Sequence, residues 1–303
     1  MTFSTAEALQ ERFGLPGLAQ ITTGNGGLAS IRIASPAAHG EIYLHGAHIA
    51  GWRPAGGADA IFMSRQAQWG AHEAIRGGIP VCGPWFRAKE DDPSAPKHGP
   101  VRIKSWNLEA VEPAGDGVRV TMATTNDAEG RQWWPFEFTM RLRATFGAAL
   151  YVELEYSNHA LEPVKVAEAL HTYLAVGDVR QVSIAGLDGA RYRDNLDENR
   201  EKRQQGDVRL TKETDNAYVD TATELVVTDL SLRRRIRVGK TGSRSTVVWN
   251  PSVEGARRIP DLGDDEWPRF VCVEASNVMD CEITIGAGKT HTLGTTISLE
   301  NMQ

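Results

Sequence analysis

Strict alternation of apolar and polar residues runs through the middle of this chain. In 138–146, Phe138, Met140, Leu142, Ala144 and Phe146 alternate with Thr139, Arg141, Arg143 and Thr145. In 150–157, Leu150, Val152, Leu154 and Tyr156 alternate with Tyr151, Glu153, Glu155 and Ser157. Val118, Val120 and Met122 repeat the pattern, as do segments 226–238 and 281–285. Successive side chains of a strand point to opposite faces, so each run is a strand with one buried and one wet face, which suits antiparallel sheets. Turn formers separate the runs, as in Glu-Pro-Ala-Gly-Asp-Gly at 112–117 and Gly-Ala-Gly at 286–288. There is no strand–helix–strand rhythm. The expected fold class is all-β, a large antiparallel β-sandwich.

One helix signal precedes the strands. Ser4 and Glu7 form a capping box ahead of Ala8, Leu9, Arg12 and Phe13, which predicts a short N-terminal helical extension over 1–20. Residues 89–98 are polar and proline-rich and predict a surface loop. Residues 188–217 are charged with few large apolar residues and predict a long loop, often a functional feature. With no composition shift and no internal repeat, residues 1–303 read as a single domain.

Charge and composition exclude several classes of function. The net charge of -6 leaves no basic excess, so no nucleic-acid partner is expected. No run approaches the ~20 apolar residues that span a bilayer, and no basic-then-apolar leader opens the chain. The three cysteines are sparse and form no C-x-x-C pair, which points to a reducing compartment. A cytoplasmic monomer is the expectation. An acidic chain that took an anionic substrate would have to gather its cations locally.

Several short segments could carry chemistry. In 75–87, Gly77 and Gly78 could turn backbone N–H groups toward an anion, with Arg76 adding a bidentate donor and Trp85 and Phe86 apolar faces for a sugar ring. The same run also reads as a tight turn beside a buried aromatic. In 97–102, His98 could donate to a sugar oxygen while Lys97 or Arg102 adds positive field; otherwise this is a solvated edge. In 166–174, a strand reading places His171 among small neighbours, with room above it for a ligand or for simple core packing. Glu274 is the most suspicious residue, a carboxylate in the apolar run 270–277 on the face shared by Phe270 and Cys272. Buried carboxylates are rare unless paired or used, and burial raises the pKa toward that of a general base near neutrality. His45 and His48 would point to opposite faces, which argues against a metal pair. Trp249-Asn250-Pro251 caps a strand or shapes a pocket wall. No nucleophile elbow, kinase set or P-loop occurs.

Taken together, these motifs resemble the aldose 1-epimerase, or galactose mutarotase-like, superfamily and within it the glucose-6-phosphate 1-epimerase branch. The resemblance runs from Leu44-His45-Gly46-Ala47-His48 through Arg76-Gly77-Gly78-Ile79-Pro80 and His171-Thr172-Tyr173 to Cys272-Val273-Glu274, covering about 45–300. It departs at Gly83, Pro100 and Asn216. The resemblance implies a β-supersandwich with the sugar in a groove across one sheet, no metal and no organic cofactor. It implies His171 and Glu274 as the catalytic pair, His98 as a substrate-orienting histidine and Asp215 as a contact to sugar hydroxyls. For a phosphate it implies Arg76 first, then Arg53, Arg65 and Arg102.

On this reading the substrate is a small sugar phosphate whose anomers are interconverted by ring opening and closure. Glu274 takes the proton of the C1 hydroxyl and protonated His171 delivers one to the ring oxygen. Glu274 and His171 on opposite sides of a ring-sized gap would favour the enzyme, and a gap too wide for both to reach one ring would favour a binding protein. A sugar-binding protein of the same fold needs no such convergence, and an enzyme for unphosphorylated aldoses predicts Arg76 turned away from the groove.

Overall fold

The computed structural model describes residues 5–302. Ser4 of the expected capping box lies outside them. Helix Ala6–Phe13 is capped by Thr5, whose hydroxyl accepts from the Ala8 N–H at 3.3 Å. The extension is shorter than 1–20, because the first strand, Ala19–Thr23, already pairs with Ala29–Ala34.

Antiparallel pairing runs through all the sheets of the described residues. A nine-stranded sheet carries the alternating segments, with Phe138–Phe146 between Gly117–Thr125 and Leu150–Asn158. Along Phe138–Phe146 every second residue is buried, as the period predicts. Its wet positions carry cross-strand ion pairs such as Arg141 with Glu155 at 2.9 Å. An eight-stranded sheet lies against it, and a four-stranded sheet built from 19–54 closes one side, where Trp52 donates its indole N–H to the Gly147 carbonyl at 3.1 Å. The architecture is the expected all-β supersandwich with one short N-terminal helix.

The two large sheets share one core. Leu142, Val152, Leu154 and Ile297 enter it from the nine-stranded sheet, and Val248, Val271, Val273 and Ala275 from the other. Each such side chain stabilises the fold by about 1.5–3 kcal/mol through burial. Strand Phe270–Asn277 is buried at every position. Period two divides it. Val271, Val273 and Ala275 face the shared core, while Phe270 and Cys272 pack with Phe62 and Tyr173 on the opposite face. Glu274 is the next residue on that opposite face.

The long loop expected over 188–217 is instead broken up by short strands. Arg191–Asp194 pairs with Arg200–Arg203, and Thr214–Val219 joins them to the rest of the eight-stranded sheet. This hairpin sits at the sheet edge, where only Tyr192 packs on the core and Asp194 is buried beside it, so its sequence shows no apolar alternation. Cross-strand charges align it, with Arg191 to Glu201 at 3.2 Å and Lys202 to Asp194 at 2.7 Å.

Candidate active site

A groove of about 780 Å³ opens over the outer face of the eight-stranded sheet. Glu274 and His171 line it, together with Arg76, Phe86, His98, Arg102 and Asp215. Seven of the residues singled out from the sequence thus converge here, and Lys97 and Trp249 join them.

Trp85, Arg53 and Arg65 do not. Trp85 is buried, donates its indole N–H to the Pro96 carbonyl at 3.0 Å and packs on Trp134. The aromatic walls come from Phe86 and Trp249, with the Trp249 ring edge-on to His171 at 6.0 Å. Arg53 lies in a different cleft, with Arg32, His39 and Asp59. Its strand, His48–Pro54, belongs to the four-stranded sheet, which turns it away from the groove. Arg65 is engaged elsewhere too, held by Asp265 at 2.6 Å and Glu266 at 3.0 Å.

Gly77 and Gly78 do not form an anion nest. The Gly78 N–H is taken by the Phe62 carbonyl at 2.7 Å. Their left-handed backbones, φ 101° and 71°, let two chain segments pass closely. A Cβ on Gly78 would come within 2.3 Å of His48 Nε2. Their role is steric, and it delivers Arg76 to the groove wall. There Arg76 donates to Asp261 at 3.1 Å and to the Tyr173 hydroxyl at 3.0 Å. Burial opposes its charge, but Tyr173 and Asp261 outweigh that and hold it firmly protonated.

Arg102 is in a different condition. The turn Pro100–Ile103 places it at the groove, 8% exposed, with no side-chain hydrogen bond or ion pair among the described residues. Its Nε is buried without a partner. A guanidinium taken from water and left unpaired is costly, and an anion in the groove would relieve it.

His171 and Glu274 are neighbours rather than opposite walls of a gap. Glu274 is centred in the buried strand Phe270–Asn277. His171 sits in the break between Glu168–Leu170 and Tyr173–Ala175, both of which pair with that strand. His171 Nδ1 lies 3.2 Å from Glu274 Oε1. The alignment is too poor for a hydrogen bond, so Nδ1 and both carboxylate oxygens lack partners. The expected opposition was mistaken about the chemistry. The C1 hydroxyl and the ring oxygen are both bonded to C1, so an acid and a base side by side reach both.

Burial pushes Glu274 well above the ordinary carboxylate range; Asp215 adds to this, and Arg87 and Arg102 oppose it. Burial drives His171 well below the usual imidazole value, reinforced by Arg102 and Arg76. Both groups therefore favour their neutral forms when the groove holds only water. A neutral acid with a neutral imidazole holds as many protons as a carboxylate with an imidazolium, so the two forms of the pair differ only in where one proton sits.

His98 stands beside them, its ring 5.8 Å from that of His171. Burial, above all, keeps its pKa well below the usual value. Its Nδ1 accepts the Arg87 N–H at 3.1 Å, which leaves the proton on Nε2 as a donor. Asp215 accepts from Arg87 at 2.9 Å and from Asn195 at 2.5 Å. Neither Arg87 nor Asn195 was identified from the sequence; both sit in segments that read as turn or loop, with nothing to mark a side chain aimed at the site.

Four cations, Arg76, Arg87, Lys97 and Arg102, line the groove against Glu73, Asp215 and Glu274, and Glu274 is pushed toward its neutral form. The groove is thus a local concentration of positive charge in an acidic chain. Gly83, Pro100 and Asn216, where the sequence departs from its resemblance, lie outside the lining. A larger residue at Gly83 would meet Met140, whose Cε would lie 2.6 Å from a Cβ there.

His45 and His48 do not form a metal pair. His45 Nε2 contacts the Glu73 carbonyl at 2.7 Å, while His48 is buried beside Gly78 with its pKa lowered to about 3 by desolvation. His171, Cys272 and Glu274 do bring a nitrogen, a sulfur and an oxygen within 4.8 Å of one another. Burial holds the Cys272 thiol well above its ordinary pKa, so in the free site it is a protonated, apolar neighbour of the pair.

Known proteins resemble this chain in both sequence and fold. The family model described as aldose 1-epimerase matches residues 29–298. A protein of Escherichia coli strain K12 is 32% identical over 247 residues, 81% of this chain and 82% of its own. A protein of Cenchrus ciliaris is 30% identical, over 82% of this chain and 78% of its own. Both are named "Putative glucose-6-phosphate 1-epimerase". Among solved structures, the Salmonella typhimurium protein described as a "putative mutarotase (YeaD)" superposes with a TM-score of 0.88 at 28% identity, covering 95% of each chain. Galactose 1-epimerase from Lactobacillus acidophilus NCFM shares the fold at 12% identity, with a TM-score of 0.69 over 94% of this chain and 99% of its own.

Proposed function

The chain belongs to the aldose 1-epimerase family, and on that premise we propose that it interconverts the α and β anomers of a hexose 6-phosphate. The observation that carries the phosphate is Arg102, a guanidinium at the groove with no protein partner among the described residues. Three further cations around it strengthen the reading. The relatives named for glucose 6-phosphate point the same way. Arg76, the first choice from the sequence, faces the groove as a phosphate site requires. It is already committed to Asp261 and Tyr173, so it becomes the secondary contact.

The chemistry follows from the His171–Glu274 pair. The sugar enters with its C1 edge on the pair and its ring against Phe86 and Trp249. Its hydroxyls hydrogen-bond the carboxylate, and its phosphate favours a nearby imidazolium. Both effects move the shared proton from Glu274 to His171. Glu274 then takes the proton of the C1 hydroxyl while His171 protonates the ring oxygen through Nε2. The bond from C1 to the ring oxygen breaks, leaving an open-chain aldehyde. Rotation about C1–C2 presents the other carbonyl face. The two groups, with protons exchanged, then close the ring as the opposite anomer. Each proton transfer contributes roughly two to four decades of rate. His98 Nε2–H donates to the sugar and steadies charge on oxygen.

Anomer-exchange NMR on glucose 6-phosphate and glucose, side by side, tests the substrate. We expect kcat/KM at least about a hundredfold higher for the phosphate ester, the scale of two charge-assisted hydrogen bonds. Arg102→Leu should lower that ratio by about tenfold or more. Equal turnover of the two sugars by the wild-type protein would overturn the phosphate assignment.

A further inference from the structure

We propose that Arg87 is a positioning residue that ties the two sides of the groove together, fixing both His98 and Asp215 for the sugar. This rests on the reading of Glu274 and His171 as the acid–base pair.

The backbone of Arg87 is in the left-handed region at φ 66°, where residues with a Cβ are disfavoured. His98 is left-handed too, at φ 65°. The two hold each other. His98 N–H donates to the Arg87 carbonyl at 2.8 Å, and Arg87 N–H donates to His98 Nδ1 at 3.1 Å. This backbone conformation is what leaves the His98 proton on Nε2, facing the substrate. Strained residues persist where their surroundings over-determine them, and they cluster at functional sites.

The Arg87 side chain spans the groove. One terminal nitrogen donates to Asp215 Oδ1 at 2.9 Å, and the other to Asn199 Oδ1 at 3.0 Å. Asn195 holds the second oxygen of Asp215 at 2.5 Å. The carboxylate is thereby clamped at both oxygens, and its remaining lone pairs meet a sugar hydroxyl in one orientation. The pair is mostly buried, with side chains 22% and 18% exposed, so solvent screens it little. The groups acting on Glu274 are His171, Cys272, Cys82, Asp215, Arg87 and Arg102. Asp215 raises its pKa and Arg87 lowers it, so neutralising Asp215 is part of how Arg87 acts.

Two variants test this. Arg87→Gly removes the guanidinium and relieves the left-handed backbone, which offsets part of the cost of leaving Asp215 unpaired, and circular dichroism checks that it is folded at the assay temperature. Arg87→Met removes only the charge. In both we expect KM to rise roughly ten- to hundredfold, the scale of a displaced binding group, by the same factor for glucose 6-phosphate and glucose. The drop in kcat should be smaller. The acid limb of the pH–rate profile should move to higher pH, since Glu274 loses a stabilising cation beside an unneutralised Asp215. Arg87→Lys should restore that limb. Wild-type KM and an unmoved limb in both variants would overturn the proposal. So would a loss confined to glucose 6-phosphate, which would place Arg87 on the phosphate, or a limb that Lys fails to restore. Glu274→Gln, run in the same assay, separates the two levels. If it is inactive while Arg87→Gly and Arg87→Met behave as wild type, only this proposal fails. If it turns over normally, the underlying acid–base reading fails.

Discussion

The molecule contains two buried glutamates paired with histidines, and their surroundings send them in opposite directions. His171 and Glu274 face the groove 3.2 Å apart, without an aligned hydrogen bond. His291 and Glu168 lie 3.1 Å apart on the side away from it. Strand Phe270–Asn277 links the pairs, since Asn277 pairs in register with Glu168 and donates to its Oε1 at 2.9 Å. His291 Nε2 also lies 3.0 Å from the Gly242 carbonyl, and its side chain is 26% exposed. The hydrogen bond to Glu168 raises the His291 pKa, whereas burial lowers that of His171. The same two residue types thus form a strut where neighbours supply hydrogen bonds and water reaches the ring. Where neighbours withhold those bonds, they are left buried and unpartnered, as the proposed proton transfer requires.

Swapping the same substitution between the pairs should separate these roles. His171→Asn should cut kcat by about two to four decades, the usual worth of a positioned acid or base. His291→Asn should leave kcat within a few-fold, as exchange NMR would show. If both substitutions slow the reaction alike, the distinction is lost.

Stability should respond with opposite signs. Glu168→Gln breaks a buried hydrogen-bonded network and should cost about 1–3 kcal/mol by denaturant titration. Glu274→Gln removes a desolvated carboxylate and should gain on the order of 1 kcal/mol at neutral pH. The sign follows from linkage. A carboxyl whose folded pKa is raised supports the fold fully only below its unfolded value near 4.5, and it loses that support as pH rises. The gain should therefore vanish below about pH 4.5. A loss for Glu274→Gln at neutral pH would contradict the account.

The smallest effect belongs to His291. Its folded pKa is raised, so its contribution is fully present below the unfolded value of about 6.5 and fades as pH climbs through the folded one. His291→Asn should destabilise by about 0.5–1 kcal/mol at pH 5.5, allowing for its partial exposure, and by less at pH 8.5. A cost that grows with pH would show that Glu168 does not hold a protonated ring.

Much of this was legible in the sequence because two signals are strong. Alternation in 138–157 specified the sheets, and a lone carboxylate in the apolar run around Glu274 marked the site before any partner was known. The edge hairpin at 191–203 was missed because its inward face is carried by Tyr192 and Asp194, which make no hydrophobic period. Trp85 was misplaced because a large aromatic beside a loop fits a groove or a core equally well. In the proposed phosphate site Arg102 ranks ahead of Arg76, which the sequence could not tell, because whether a guanidinium already has a carboxylate partner depends on residues far apart in the chain. Asp261, the partner of Arg76, is 185 positions away. Arg87 and Asn195 were invisible for the same reason, since their significance lies in Asp215, which neither adjoins in sequence.

The most direct test of the central claim is two-dimensional exchange NMR on glucose 6-phosphate with wild type, Glu274→Gln and Glu168→Gln at equal concentration. The account predicts that Glu274→Gln loses at least about a hundredfold in anomer exchange while sugar affinity changes little, and that folded Glu168→Gln stays within a few-fold of wild type. Near-normal exchange by Glu274→Gln, or an equal loss in both variants, would contradict it.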